Sequence, residues 1–182
     1  MALNNFLNWA DIDPASPAAI RGGAKASLTD ISCVSPMMVW STDGCTATRR
    51  LSHMVGTPGS YGIPQTTTQV LINLLDYHMD IQAAIEAPRC RMPELTPTNM
   101  QGTASAFVAP ERAGKLVQIE ARVPSEVRAE LEAMGHELLV QPSWTAAVGG
   151  MQGIAVHYDT NGGMCGFSGG ADPRRDGYAI GW

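Results

Sequence analysis

A chain of 182 residues with 45% hydrophobic and 16% charged side chains has the composition of one folded domain rather than of a disordered tail or a charged coil. Compact chains of this length bury roughly 70% of their unfolded surface, so a sizeable core is expected. The formal net charge of −5 argues against nucleic acid or an acidic membrane as partner, since both require clustered Lys and Arg.

Only Arg49-Arg50 and Arg174-Arg175 interrupt that charge pattern, and both pairs read as solvated or ion-paired surface. Cys33, Cys45, Cys90 and Cys165 form no C-x-x-C pair, and His53, His78, His136 and His157 are isolated. No metal site and no cofactor are therefore expected, and the cysteines indicate no particular disulfide. No run of about 18 apolar residues is present to span a membrane. The first residues, Met1 to Phe6, have neither the basic nor the continuous apolar region of a signal peptide.

Residues Met1 to Ala19 read as irregular, with Pro14 and Pro17 breaking any long helix. A surface loop follows from Ile20 to Asp30, then the segment Ser32-Cys33-Val34-Ser35-Pro36. The apolar run Met37 to Trp40, the turn signal Asp43-Gly44 and the run Thr48 to Val55 predict a hairpin. It leads into Gly56 to Pro88, the stretch around which the chain is organised. There Gly56, Pro58, Gly59 and Gly62 make a turn able to present free backbone N–H groups to negative charge.

Thr66 to Tyr77 reads as a helix with Val70, Leu71, Leu74 and Leu75 on one face and Ile72 beside it, its threonines suited to the first turn. Asp80 caps a second helix striped with Ile81, Ala84 and Ile85, and Pro88 stops it. Arg91 to Pro110 reads as loop, Leu116 to Ile119 as strand, Ser125 to Met134 as helix closed by Gly135, and Leu138 to Val140 as strand. A last hairpin joins Gly153–Tyr158 to Met164–Phe167 ahead of the tail GGADPRRDGYAIGW. Irregular alternation with hairpins favours an α+β layered fold over a doubly wound parallel sheet, and nothing divides residues 1–182 into separate domains.

Four segments in order, LNN at Leu3 to Asn5, SCVSP at Ser32 to Pro36, GTPGS through AIEAPR at Arg89, and ADPRRDGYAIGW, resemble the small subunit of the γ-glutamyltranspeptidase family of N-terminal-nucleophile (Ntn) hydrolases. The resemblance implies a four-layered αββα sandwich, incomplete here because the first strands of the small subunit are missing. It also implies a threonine nucleophile exposed by self-cleavage, whose own amine acts as base, so that no Ser-His-Asp set is needed. The family's GSPGG places two consecutive N–H groups as an oxyanion hole, matching Gly59 and Ser60. Its SSMSP supplies two hydroxyls to the substrate carboxylate, and these positions are Ser32 and Cys33, where a thiol donates only weakly.

The residues that hold the substrate's α-amino group in the transpeptidases fall on Phe6 and Trp9, which are not charged acceptors. Asp11 or Asp13 could take over if the loop is shifted; without that shift, the pocket resembles those of related acylases, which take glutaryl or other acyl groups. The nucleophilic threonine lies ahead of LNN in the family, so this chain alone is expected to carry half of an active site. Its implied partners are a small amide or peptide substrate, the large subunit and the missing N-terminal stretch of the same precursor. A non-catalytic paralogue that binds a small carboxylate is the alternative. A phosphate cradle is weaker, because GTPGSYG lacks the Gly-Lys-Ser/Thr ending.

Overall fold

The computed structural model describes residues 14–15, 19, 22–23, 35–42, 48–59, 62–95, 107–108 and 115–181. The expected Asp43-Gly44 turn lies outside them. The first hairpin is otherwise as expected: β1 (Met37–Thr42) pairs antiparallel with β2 (Arg49–Gly56), with an irregularity between Val39 and Trp40. Two later strands, β8 (Gln152–Tyr158) and β9 (Met164–Ala171), complete a four-stranded antiparallel sheet in the order β1-β2-β8-β9.

The register gives the sheet two distinct faces. Val55 lies opposite Gly153 and Gly153 opposite Gly170, so these three share one side. Against that side pack α1 (Gly62–Leu75) and α2 (Ile81–Glu86), enclosing Val55, Val70, Leu74, Ile81, Ala84, Ile85, Met151 and Ala155. The helices approach so closely that a Cβ at position 153 or 170 would stand 2.8 Å from the Cδ1 of Ile81 or Ile85, respectively. Met38, Met54, Ile154 and Gly169 form the matching row on the other side. That side is apolar and open: Ile154 and Phe167 are 40% and 61% exposed, and the tail around Ala179 lies over Gly169.

Sequence periodicity places α1 too late and gives it too wide an apolar face. The helix starts at Gly62 rather than Thr66, because Pro64 belongs in a first turn, where no N–H is required and its fixed φ is already helical. Val70 and Leu74 are buried, whereas Ile72 and Leu75 point outward. In α2 the cap is as expected, with Asp80 Oδ1 accepting from the N–H groups of Gln82 (3.1 Å) and Ala83 (3.0 Å).

The segment expected to be loop after Arg91 contains β4 (Glu94–Leu95) paired in parallel with β5 (Phe107–Val108). A second sheet joins β3 (Cys90–Arg91), β6 (Leu116–Glu120) and β7 (Glu137–Gln141) in the order β3-β6-β7. Its β6 and β7 are parallel, connected through α3 (Ser125–Ala133). The architecture is thus mixed α and β: a four-stranded antiparallel sheet, a mixed three-stranded sheet and a short parallel pair.

Candidate active site

Strand β2 ends at Gly56, and α1 begins six residues later. Between them Gly59 adopts φ +145, a conformation that residues with a Cβ rarely take. Its carbonyl accepts from Gly62 N–H at 2.9 Å, which ties the turn to the helix start. Among the described residues nothing accepts the Gly59 N–H. Thr57 Oγ1 accepts from Gly150 N–H at 3.0 Å and donates to the Pro58 carbonyl at 2.8 Å.

The segment 145–151 lies along this turn. Its first N–H, from Thr145, reaches Glu120 Oε1 at 3.3 Å, and its last, from Met151, reaches Asp172 Oδ2 at 2.9 Å. In the middle, Thr66 Oγ1 donates to the Val148 carbonyl at 2.8 Å. Thr66 therefore braces the neighbouring segment instead of capping its own helix. Gly149 has φ +96, and a Cβ there would stand 2.7 Å from Thr57 Oγ1 and 3.2 Å from Thr66 Cγ2. Position 149 thus excludes a side chain both by its backbone and by its neighbours.

The two carboxylates that hold this segment belong to a buried ionic cluster of Arg89, Glu120, Asp172 and Arg174. Arg89 is paired with Asp172. Arg174 donates from Nε and Nη2 to the two Glu120 oxygens at 2.8 and 2.6 Å, and from Nη1 to Asp172 Oδ1 at 3.0 Å. It also donates to the carbonyls of Ile85 (3.1 Å) and Ala87 (3.0 Å) at the end of α2, where unpaired carbonyls need a donor. Arg122 approaches Glu120 at 3.2 Å and lies 3.6 Å over the Trp144 ring. The reading of Arg174-Arg175 as surface holds for Arg175 and fails for Arg174, whose neighbours in space are remote in sequence.

Burial alone pushes the Asp172 carboxyl up, but the Arg89 guanidinium, with help from Arg174, holds it below the usual carboxylate range. Burial and the charge of Arg174 lower Arg89, against the pull of Asp172 and Glu120. Burial lowers Arg174 as well, yet its bonds to Glu120 and the charge of Asp172 outweigh that and raise it. The shifts of Asp172 and Arg174 thus both favour the charged form. Among the described residues Arg89 Nε and Nη1 have no hydrogen-bond partner, which makes the pair with Asp172 its principal compensation there.

Of the residues the sequence singles out, Gly59 sits in the turn as expected. Ser60, Ser32, Cys33, Phe6 and Trp9 lie outside the described residues. Sequence reasoning misses the segment 145–151 and the ionic cluster. The pertinent signals were the Gly149-Gly150 pair and the arginines of AIEAPR and ADPRR. No three His, Cys, Asp or Glu side chains among the described residues converge to hold a metal ion, and no helix among them is long and apolar enough to cross a membrane.

The family model described as Gamma-glutamyltranspeptidase matches residues 2–182. The chain belongs to the γ-glutamyltranspeptidase family. Among curated relatives, the glutathione hydrolase proenzyme of Bacillus subtilis is 28% identical over 182 aligned residues, covering 98% of this chain and 24% of the relative. The acylase ACY 1 proenzyme of Pseudomonas sp. (strain V22) is 28% identical over 159 residues, 87% of this chain and 23% of the relative. The chain thus spans about a quarter of the length of these relatives.

In three dimensions, a mutant of the Helicobacter pylori γ-glutamyltranspeptidase superposes with a TM-score of 0.67 at 26% identity, covering 94% of this chain and 80% of that one. The cephalosporin acylase of Bacillus halodurans superposes at 0.55 with 28% identity, covering 73% and 20%. The mixed α and β arrangement is accordingly that of γ-glutamyltranspeptidases, an Ntn-hydrolase fold.

Proposed function

We propose that this chain supplies the oxyanion turn and the carboxylate-binding segment of an enzyme that transfers or hydrolyses a γ-glutamyl or related acyl group through a threonyl ester. The observation that carries the reading is the Gly59 turn. A backbone N–H that no described residue accepts is held in a conformation suited to glycine, at the position matching the family's oxyanion glycine. The N–H groups of Gly59 and Ser60 stabilise the tetrahedral oxyanion, and Ser32 with Cys33 binds the substrate carboxylate. The nucleophilic threonine comes from a segment outside these 182 residues, so the isolated chain has no acyl-transfer activity.

The open apolar face of the four-stranded sheet, with Ile154 and Phe167 exposed, supports a second sheet packed over it in the full four-layer sandwich. That sheet comes from the large subunit and the N-terminal stretch of the same precursor. At the α-amino end of the donor, Phe6 and Trp9 replace the glutamine and the acidic residue of the transpeptidases. This favours a donor without a free amino group, and relatives named as acylases support the same preference. A purely carboxylate-binding paralogue gains no support from relatives named as acylases and hydrolases.

The test is turnover of glutaryl and γ-glutamyl anilides by the complete, processed protein. Hydrolysis is expected with at least ~10-fold preference for glutaryl, each lost charged contact being worth roughly 1.5 to 3 kcal/mol. Gly59→Ala keeps the N–H but strains the φ +145 conformation that aims it, and should lower kcat by about 10²- to 10³-fold, as if one oxyanion donor were lost. A protein that turns over neither anilide, or a Gly59→Ala variant with full kcat, would sink the reading.

A further inference from the structure

We propose that Thr57 is a positioning residue that decides which way the Pro58–Gly59 peptide faces, and that segment 145–151 is the strap that holds it there. This rests on Gly59 N–H being an oxyanion donor. The Pro58 carbonyl and the Gly59 N–H belong to one peptide unit, and in a trans peptide they point in opposite directions. Whatever grips the carbonyl therefore aims the N–H. A flipped peptide would turn the carbonyl oxygen towards the developing negative charge, replacing attraction with repulsion.

Glycine makes both orientations accessible, so the turn by itself does not select one. Thr57 Oγ1 does, by donating to the Pro58 carbonyl at 2.8 Å. The same oxygen accepts from Gly150 N–H at 3.0 Å. A hydroxyl can donate and accept at once, and a methyl in its place can do neither. The acceptor bond orients the hydroxyl and fixes its position against the strap. The strap is itself fixed, by Glu120 and Asp172 at its two ends and by Thr66 on the Val148 carbonyl. Gly149 lets the strap come within reach, since a Cβ there would collide with Thr57 Oγ1. The buried ionic cluster thus acts on the oxyanion donor through two short links, strap and hydroxyl, without touching the substrate.

The complete, processed protein carrying Thr57→Val or Thr57→Ser tests this, with kcat and KM measured on glutaryl anilide beside the thermal midpoint. Thr57→Val is expected to lower kcat by about 10- to 100-fold, a fraction of the loss of a whole oxyanion donor. KM should stay within about 2-fold, because the substrate's own contacts remain. Thr57→Ser, which keeps the hydroxyl, should return kcat to within about 3-fold of the parent. If Thr57→Val does not fold, Thr57→Cys takes its place, and its weak donor should lower kcat at least ~5-fold. A lowered midpoint with unchanged kcat, or a Ser variant that restores nothing, overturns the inference. Gly59→Ala impairing kcat while Thr57→Val does not overturns this inference alone, whereas a parent without turnover overturns the functional reading on which it stands.

Discussion

Between α1, α2 and the four-stranded sheet the interior is filled by aliphatic side chains such as Val70, Ile81 and Ile85. Where the end of α2, strand β6 and the segment after β9 meet, it is filled by Arg89, Glu120, Asp172 and Arg174. The first interior is held by contacts with no preferred direction, each fully buried Val, Leu or Ile contributing roughly 1.5 to 3 kcal/mol. The second is held by directed bonds between groups that are costly to bury unless all are paired. The difference teaches that the apolar region tolerates graded damage and sets stability, while the ionic region is close to all-or-none. It also fixes the geometry of the strap beside Gly59.

The sharpest way to break that contrast is to remove one partner from the ionic interior. Asp172→Ala strands Arg89 and releases Met151 N–H, so the complete protein should lose about 3 to 5 kcal/mol of stability in urea unfolding. A loss under about 1 kcal/mol would show that the cluster is not the unit described. Because the folded-state pKa of Asp172 is depressed below its ordinary 3.8, its contribution is fully present above pH 3.8. It disappears as pH falls through the lower folded value. The variant should therefore lose much of the acid sensitivity that the parent shows in that window.

Ile85→Ala in the apolar interior should cost about 2 to 5 kcal/mol by leaving a cavity, with a pH profile parallel to that of the parent. An altered acid window in this variant would mean that the two interiors are not separable, since Arg174 also bonds the Ile85 carbonyl. The smallest effect is expected at the edge of both. Asp80→Ala removes the cap of α2 and should cost about 1 kcal/mol by the same measurement. A much larger loss would mean that this cap anchors the ionic cluster as well.

The apolar interior was legible in the sequence because its signals are local. The 3-to-4-residue spacing of Ile81, Ala84 and Ile85, the cap at Asp80 and the paired apolar runs can be read within a dozen residues, and the structure follows them. The ionic interior was not, since Arg89 meets Asp172 across 83 positions and no periodicity announces such a pair. The ordinary behaviour of arginine puts Arg174 at the surface, and the ordinary behaviour of threonine makes Thr66 a cap. Each was captured by a carbonyl or carboxylate that only the folded chain brings near. For the site, the Gly59 turn was readable from its glycines and from the family motif, whereas the Thr57–Gly150 contact joins residues 93 positions apart.

Those separations also impose an order on assembly. At a synthesis rate of about 5 to 20 residues per second, the 83 positions between Arg89 and Asp172 take roughly 4 to 17 seconds to translate. For that interval the turn and α1 have already emerged while the strap, and then its carboxylate anchor, are still being made. The helices can form early, but the peptide beside Gly59 acquires its fixed orientation only when β9 and the residues just after it have been added. Timing is therefore written into the fold: the turn at Gly59 is made well before the carboxylate that anchors the strap beside it.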